Sequence, residues 1–179
     1  LKEGLAASGR VAVRRALQIG HDITSALEHA HAIGVVHRDL KPDNVMLRVG
    51  KCLKVMDFGI AKVVGEIGVT TSNMFIGSPC YAAPEMIDSS TVDHRVDLYS
   101  LGIMLFEMLQ GVVPYTGSSA IEILLRHRTD PLPALDDMPI KVPRNVWRLV
   151  EILSEKEPGR RLPDARSARL AIEILLRDK

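Results

Sequence analysis

The segment Val96 to Leu109 constrains this chain more than any other. Wound into a helix, it is apolar on nearly every side, with Asp97, Ser100 and Glu107 as interruptions. A helix without a polar face must be enclosed, by other elements or by lipid. The apolar stretch Leu98 to Val113 is broken by Ser100, Glu107 and Gln110. It is also shorter than the roughly 20 residues a bilayer span needs. It therefore reads as a buried helix of a globular body, and other elements of the chain must enclose it.

The neighbours suit that task. Val13, Ala16, Leu17, Gly20, Ile23, Leu27 and Ala30 recur at helical spacing, which predicts an amphipathic helix over Val11 to His31, ended by Gly34. Ile121 to His127 reads as a short helix, and Arg144 to Leu153 and Asp164 to Arg177 as two further amphipathic ones. Val45 to Arg48 and Leu53 to Met56 are short β-type runs joined by Val49-Gly50-Lys51, a hairpin signal. Asp57 to Glu85 follows no period and reads as a functional loop. Asp130 to Pro143, with four prolines, reads as a connecting loop. The expected fold is mainly α (α+β): a helical bundle with one small β-hairpin, spanning 1–179 with no linker.

Ala120–Arg126 and Ala171–Arg177 both read A-I-E-I-L-L-R. Two copies with unlike flanks are too few for a repeat array. The expectation is two helices that present the same apolar face.

Composition excludes several classes. Of 179 residues, 46% are hydrophobic and 25% charged, which is globular and not disordered composition. Lys and Arg number 23 against 22 acids, so the basic excess of a nucleic-acid binder is lacking. Cys52 and Cys80 have no metal spacing, and sparse cysteine fits a reducing compartment. His21, His29 and His31 share one helix without ligand spacing. Leu1-Lys2-Glu3-Gly4 has no signal-peptide pattern and no initiator Met, so Leu1 is not expected to be a natural start. The expectation is a cytoplasmic protein, with no membrane segment in this chain and no nucleic-acid partner.

The chemistry is concentrated in three blocks. They are His37-Arg38-Asp39-Leu40-Lys41-Pro42-Asp43-Asn44, then Asp57-Phe58-Gly59, then Ala83-Pro84-Glu85. Asp and Asn favour turns, so each block alone has a plain structural reading. In this order they resemble the signature set of the protein kinases: H-R-D-L-x-x-x-N, D-F-G and A-P-E. The resemblance extends over nearly the whole chain, and D-F-G-I-A-K with a compact carboxy-terminal lobe looks most like bacterial serine/threonine kinases.

The resemblance implies ATP and Mg²⁺ (or Mn²⁺) as cofactors and protein Ser/Thr hydroxyls as substrates. Asp39 would accept or orient the proton of the attacking hydroxyl. Asn44 and Asp57 would be the metal ligands, in keeping with the preference of Mg²⁺ for hard oxygen. Lys41 matches the serine/threonine branch and would contact the transferred phosphate; Lys41, Asn44 and Asp57 together would hold the nucleotide. His37, Arg38, Phe58 and Gly59 complete the catalytic and metal-binding loops. Residues 57–85 would be the activation segment, and Gly77 to Glu85 its substrate-docking end. There Ser78 replaces the usual Thr and keeps the hydroxyl. Asp97 would brace the catalytic loop. Arg161 would pair with Glu85, a buried pair whose breaking costs about 3–5 kcal/mol. Thr70, Thr71 and Ser72 are the candidate phosphosites, with Arg38 as the phosphate's partner.

The family set also demands a Gly-rich loop, a strand lysine and a helix glutamate. No G-x-G-x-x-G occurs. Val11-Ala12-Val13-Arg14 resembles the strand-lysine motif only superficially, because it lies inside a helical pattern and has Arg for Lys. The resemblance thus implies a carboxy-terminal lobe only, with Leu1 to Leu5 just past the hinge. Three readings follow: a lobe of a longer kinase with little activity alone, a stand-alone kinase-derived binding module (a pseudoenzyme), or an enzyme completed by a separate amino-terminal chain.

Overall fold

A computed structural model describes residues 1–47, 53–58, 79–88, 92–138 and 140–178. Seven helices are described: α1 Lys2–Ser8, α2 Val13–Ala32, α3 Glu85–Asp88, α4 Arg95–Gln110, α5 Ala120–Thr129, α6 Arg144–Leu153 and α7 Ala165–Arg177. Two strands, β1 Val45–Leu47 and β2 Leu53–Val55, pair antiparallel with Val45 opposite Val55. The expected mostly helical body with one small hairpin is present. The turn between the strands lies outside the described residues.

α4 is enclosed as its composition demands. From Val96 to Gln110 every residue but Glu107 is buried. Fully burying a Leu, Ile, Met or Phe side chain stabilises by roughly 1.5–3 kcal/mol, so this helix is the main anchor of the core. α2 and α6 both pack against α4, and α7 packs along α2, so that Leu105 of α4 and Ile172 of α7 both close on Gly20. Gly102 permits the α4–α6 approach: a Cβ there would stand 2.6 Å from Ser154 Oγ and 2.9 Å from Leu153 Cβ.

α2 buries Ala16, Leu17, Ile19, Gly20, Ile23, Thr24, Leu27 and Ala30, which is the predicted stripe without Val13, half-buried in the first turn, and with Ile19 and Thr24 added. Val13 and Arg14 lie in its first turn, which disposes of a strand at that point. The helix ends as Gly34 takes φ 77°, a conformation open to glycine without strain. The chain then runs through 37–44, where His37, Leu40, Pro42 and Asn44 are buried and Asp43 is exposed, into the hairpin.

Two short helices have no counterpart in the sequence reading. Among the described side chains of α1 only Leu5 is buried, and α3 opens at Glu85 at the far end of the pattern-free stretch. The heptapeptide expectation is corrected. Ile172 of α7 is buried whereas the matching Ile121 of α5 is exposed, so the two copies turn different faces inward.

Candidate active site

The loop 37–44 is held from three directions. Asp97, fully buried in the first turn of α4, accepts from the backbone N–H of His37 at 2.9 Å and of Arg38 at 2.8 Å. A third donor is His31 of α2, whose Nε2 lies 2.8 Å from the same carboxylate. Such a carboxylate replaces its lost hydration with three fixed donors, the condition under which a buried charge is tolerated. Arg38 can turn its N–H inward only by adopting φ 63°. That is a sparsely populated conformation for a long side chain, and it is over-determined here by the two bonds to Asp97.

His37 links the loop to the hairpin. Its Nε2 donates to the Met56 carbonyl at 2.8 Å, while its Nδ1 accepts from the Asp39 N–H at 3.3 Å. The ring also packs against Phe58 with centroids 4.9 Å apart. Met56 N–H donates to the Asn44 carbonyl at 2.8 Å, extending the strand ladder by one pair. Asn44 therefore stands opposite Met56, one residue from Asp57. Asp57 itself takes φ 59° and is exposed, which turns its carboxylate out of the ladder.

Around Asp39 the contacts are one-sided. Lys41 Nζ donates to Asp39 Oδ2 at 2.6 Å, and Asn44 Nδ2 lies 3.3 Å from the same oxygen. Asn44 Nδ2 also donates to the Asp39 carbonyl at 2.8 Å. Both donors fall on Oδ2, so among the described residues Oδ1 keeps its lone pairs. With its amide nitrogen occupied, Asn44 has its side-chain carbonyl oxygen left over among the described residues. An amide oxygen and the exposed Asp57 carboxylate, neighbours across the hairpin, form the hard donor set that suits Mg²⁺ when phosphate oxygens complete the shell. No cluster of three His, Cys, Asp or Glu suited to a metal occurs among the described residues.

Beyond the loop, Arg161 and Glu85 form a two-pronged pair, Nη1–Oε1 2.6 Å and Nη2–Oε2 2.7 Å. The remaining Arg161 donors go to the carbonyls of Glu155, Arg95 and Lys156. All five N–H groups are thus satisfied, which is what full burial of a guanidinium requires. Gly59, Thr70, Thr71, Ser72 and Ser78 lie outside the described residues. Arg38 Nε is buried without a hydrogen-bond partner among those described.

Sequence reading missed two contacts here. His31 as third donor to Asp97 has no signal, since the two are far apart in the chain. Tyr81 donates to Glu107 Oε2 at 2.8 Å, tying the 79–81 turn to α4. Burial holds the Glu107 carboxyl above the usual carboxylate range, opposed by that hydrogen bond. Glu107 is the one charged residue on the otherwise apolar length of α4 after Asp97, and that anomaly was the available clue.

The comparisons agree with this geometry. The protein kinase domain family matches residues 1–170. Serine/threonine-protein kinase PrkC of Bacillus subtilis is 36% identical over 165 residues, covering 92% of this chain and 26% of that protein. The probable serine/threonine-protein kinase PknB of Lactococcus lactis is 36% identical over 164 residues, with coverage of 92% and 26%. Serine/threonine-protein kinase PknB of Mycolicibacterium smegmatis is 41% identical over 136 residues, with 74% and 22%. The chain spans about a quarter of the length of the curated relatives it matches. With the motif order, the braced loop and these matches in agreement, the chain belongs to the protein kinase domain family, beside bacterial serine/threonine kinases.

Proposed function

We propose that this chain is the carboxy-terminal lobe of a protein serine/threonine kinase. It would transfer the ATP γ-phosphate to protein Ser/Thr hydroxyls once an amino-terminal lobe is supplied in cis or in trans. The observation that carries this reading is the one-sided engagement of Asp39. Its Oδ2 is taken by Lys41 and Asn44, and its Oδ1 stays open to accept a hydroxyl proton. Lys41, two residues on, is within a side chain's reach of the phosphate that arrives at that hydroxyl. Asn44 and Asp57 are the groups we assign to Mg²⁺, and with Lys41 to the nucleotide. When bound, that ion supplies neutralisation of phosphate charge. Arg38, with its unpaired Nε, is the group we assign to a phosphate on Thr70, Thr71 or Ser72.

The reading also accounts for exposed apolar side chains on the hairpin. Met46 is 43% and Leu47 37% exposed, beside the loop where a second lobe would close the nucleotide site. Apolar surface of this kind marks an interaction face.

The test is phosphate transfer from ATP to a generic basic protein, with this chain alone and with it joined to the amino-terminal lobe of a serine/threonine kinase. Transfer by the joined protein, lost on Asp39→Asn and weak for the isolated chain, is the expected result. Removal of one preorganised electrostatic group costs roughly 10²–10³ in rate, and absence of the whole nucleotide roof more. Robust transfer by the isolated chain would overturn the need for a second lobe. No transfer by the joined protein would overturn the kinase reading.

A further inference from the structure

Only two buried side chains, Leu124 and His127, hold α5 to the body. His127 does so through a polar cluster. Its ring centre stands 5.7 Å from that of Tyr99 on α4 and 4.7 Å from that of Tyr115, and its Nδ1 lies 2.8 Å from the Tyr99 hydroxyl. Lys156, in the turn after α6, donates to the Tyr115 hydroxyl at 2.9 Å and to the carbonyl of His127 itself at 2.7 Å. It also stands 3.5 Å from the Tyr99 hydroxyl. Tyr115 gives its own proton to the Asp130 carbonyl, just past α5, at 3.1 Å. The C-terminal end of α5 is thus clasped by three other segments around one histidine.

That clasp suits only a neutral ring. With an ammonium facing its oxygen, Tyr99 directs its proton to His127 Nδ1, the nitrogen a second ring proton would need. The charges near the ring are cationic. Arg126 and Arg128 flank His127 on its own helix, and the Arg161 guanidinium is 4.9 Å from the Tyr99 ring centre. Asp130 and Glu155 act on Lys156, and Glu85 is engaged by Arg161. Burial holds the Cys80 thiol up and so uncharged. Among the described residues no carboxylate pairs with the imidazole. Burial first, and the Lys156 charge second, push the ring down to about 4, opposed by a hydrogen bond with the Cys80 backbone.

We propose that His127 makes α5 an acid-labile element: a proton on the buried imidazole releases the C-terminal end of α5 from α4 and Lys156, while the 79–81 turn stays on α4. The turn keeps ties of its own, from Ser100 Oγ to the Tyr81 carbonyl at 2.8 Å and from the Tyr81 hydroxyl to Glu107 at 2.8 Å. A base whose docked value is lowered stabilises fully above its ordinary value, and that stability is lost as pH falls toward the docked one. The window therefore runs from 6.5 down to about 4. Burial pushes the Lys156 ammonium down only to about 8, so it stays charged throughout that window and keeps opposing the ring proton. The inference draws nothing from the kinase reading.

Amide hydrogen exchange of the intact chain reads the release. Corrected for the intrinsic pH dependence of exchange, opening of α5 is expected to grow about thirty-fold from pH 7.5 to pH 5, the ratio that follows from a value of 6.5 when released and about 4 when docked. α6 is expected to change far less. His127→Gln keeps an acceptor for Tyr99 but does not titrate, and should abolish the acid step. His127→Phe, a ring without nitrogen, makes the same test should the Gln variant not fold. Protection of α5 that is constant with pH, an acid step that survives the substitution, or an equal step in α6 overturns the proposal. Nitrogen NMR of the wild-type imidazole gives a second reading. A ring still neutral at pH 5.5 is expected, and one half-protonated near pH 6.5 overturns the proposal.

Discussion

Ala120–Arg126 and Ala171–Arg177 are the same seven residues in two helices, and they bury opposite members of the set. In α7, Ile172 is fully buried and Ile174 is 60% exposed. In α5, Leu124 is buried while Ile121 is 66% exposed. Four large apolar residues in seven cover most of a helix's circumference, so the heptapeptide has no single inward face. The flanks choose. Ala165 and Ala168 continue the line of Ile172 at helical spacing and let α7 lie close on α2. α5 starts at Ala120 and has no such upstream turn. Its buried line runs downstream from Leu124 to His127, onto the 79–81 turn. A short apolar motif thus makes a helix in both places, and its neighbours decide where the helix packs: one closes the core, the other sets a buried histidine against the 79–81 turn.

The comparison can be broken by truncating its members. Ile172→Ala should have the largest effect, lowering unfolding free energy by about 2–5 kcal/mol in urea melts with m unchanged. Leu124→Ala should cost less, about 2 kcal/mol, because one side of α5 already faces water. Its loss should appear first as faster amide exchange within α5, ahead of global unfolding. A global loss from Leu124→Ala as large as that from Ile172→Ala would mean that α5 belongs to the main core.

The helix starts sharpen the contrast. Asp164 caps α7 by accepting from the Ser167 N–H at 2.7 Å, and Ser119 caps α5 by accepting from the Glu122 N–H at 3.2 Å. Asp164→Ala should cost about 1 kcal/mol at neutral pH. That hydrogen bond holds the Asp164 carboxyl below its ordinary value. A lowered folded-state value means the stabilisation is complete above the unfolded carboxylate range and is lost as pH falls through the folded one. The gap between wild type and Asp164→Ala in pH-dependent melts should therefore close in acid. Ser119→Ala, removing a hydroxyl that does not titrate, should cost about 0.5 kcal/mol with no such closure. Smallest of all, Ile121→Ala should stay within about 0.5 kcal/mol. A larger loss would show that this exposed face of α5 is covered.

Much of the site could be read along the chain because the family's chemistry is written in contiguous blocks. Asp39, Lys41 and Asn44 share one loop, and the hairpin that brings Asp57 beside Asn44 is itself a local signal. The bracing could not be read in the same way. His31 and Asp97 meet only because α2 packs on α4, and no local pattern distinguishes His31 from His29. The cluster of Lys156 with Tyr99, Tyr115 and His127 is likewise assembled from four separate elements. Each member alone looks like an ordinary surface or core residue.

By itself the sequence determined that α4 must be buried, since a helix with no polar face has nowhere else to go, and that a hairpin would join the His37–Asn44 block to Asp57-Phe58-Gly59. Only the tertiary structure decided which oxygen of Asp39 stays open, which histidine braces Asp97 and which way each A-I-E-I-L-L-R helix turns. Periodicity specifies a helix and its apolar residues through local backbone geometry. The face that is buried, and the partner that satisfies a buried polar atom, depend on residues distant in the chain, and these meet only when the core closes.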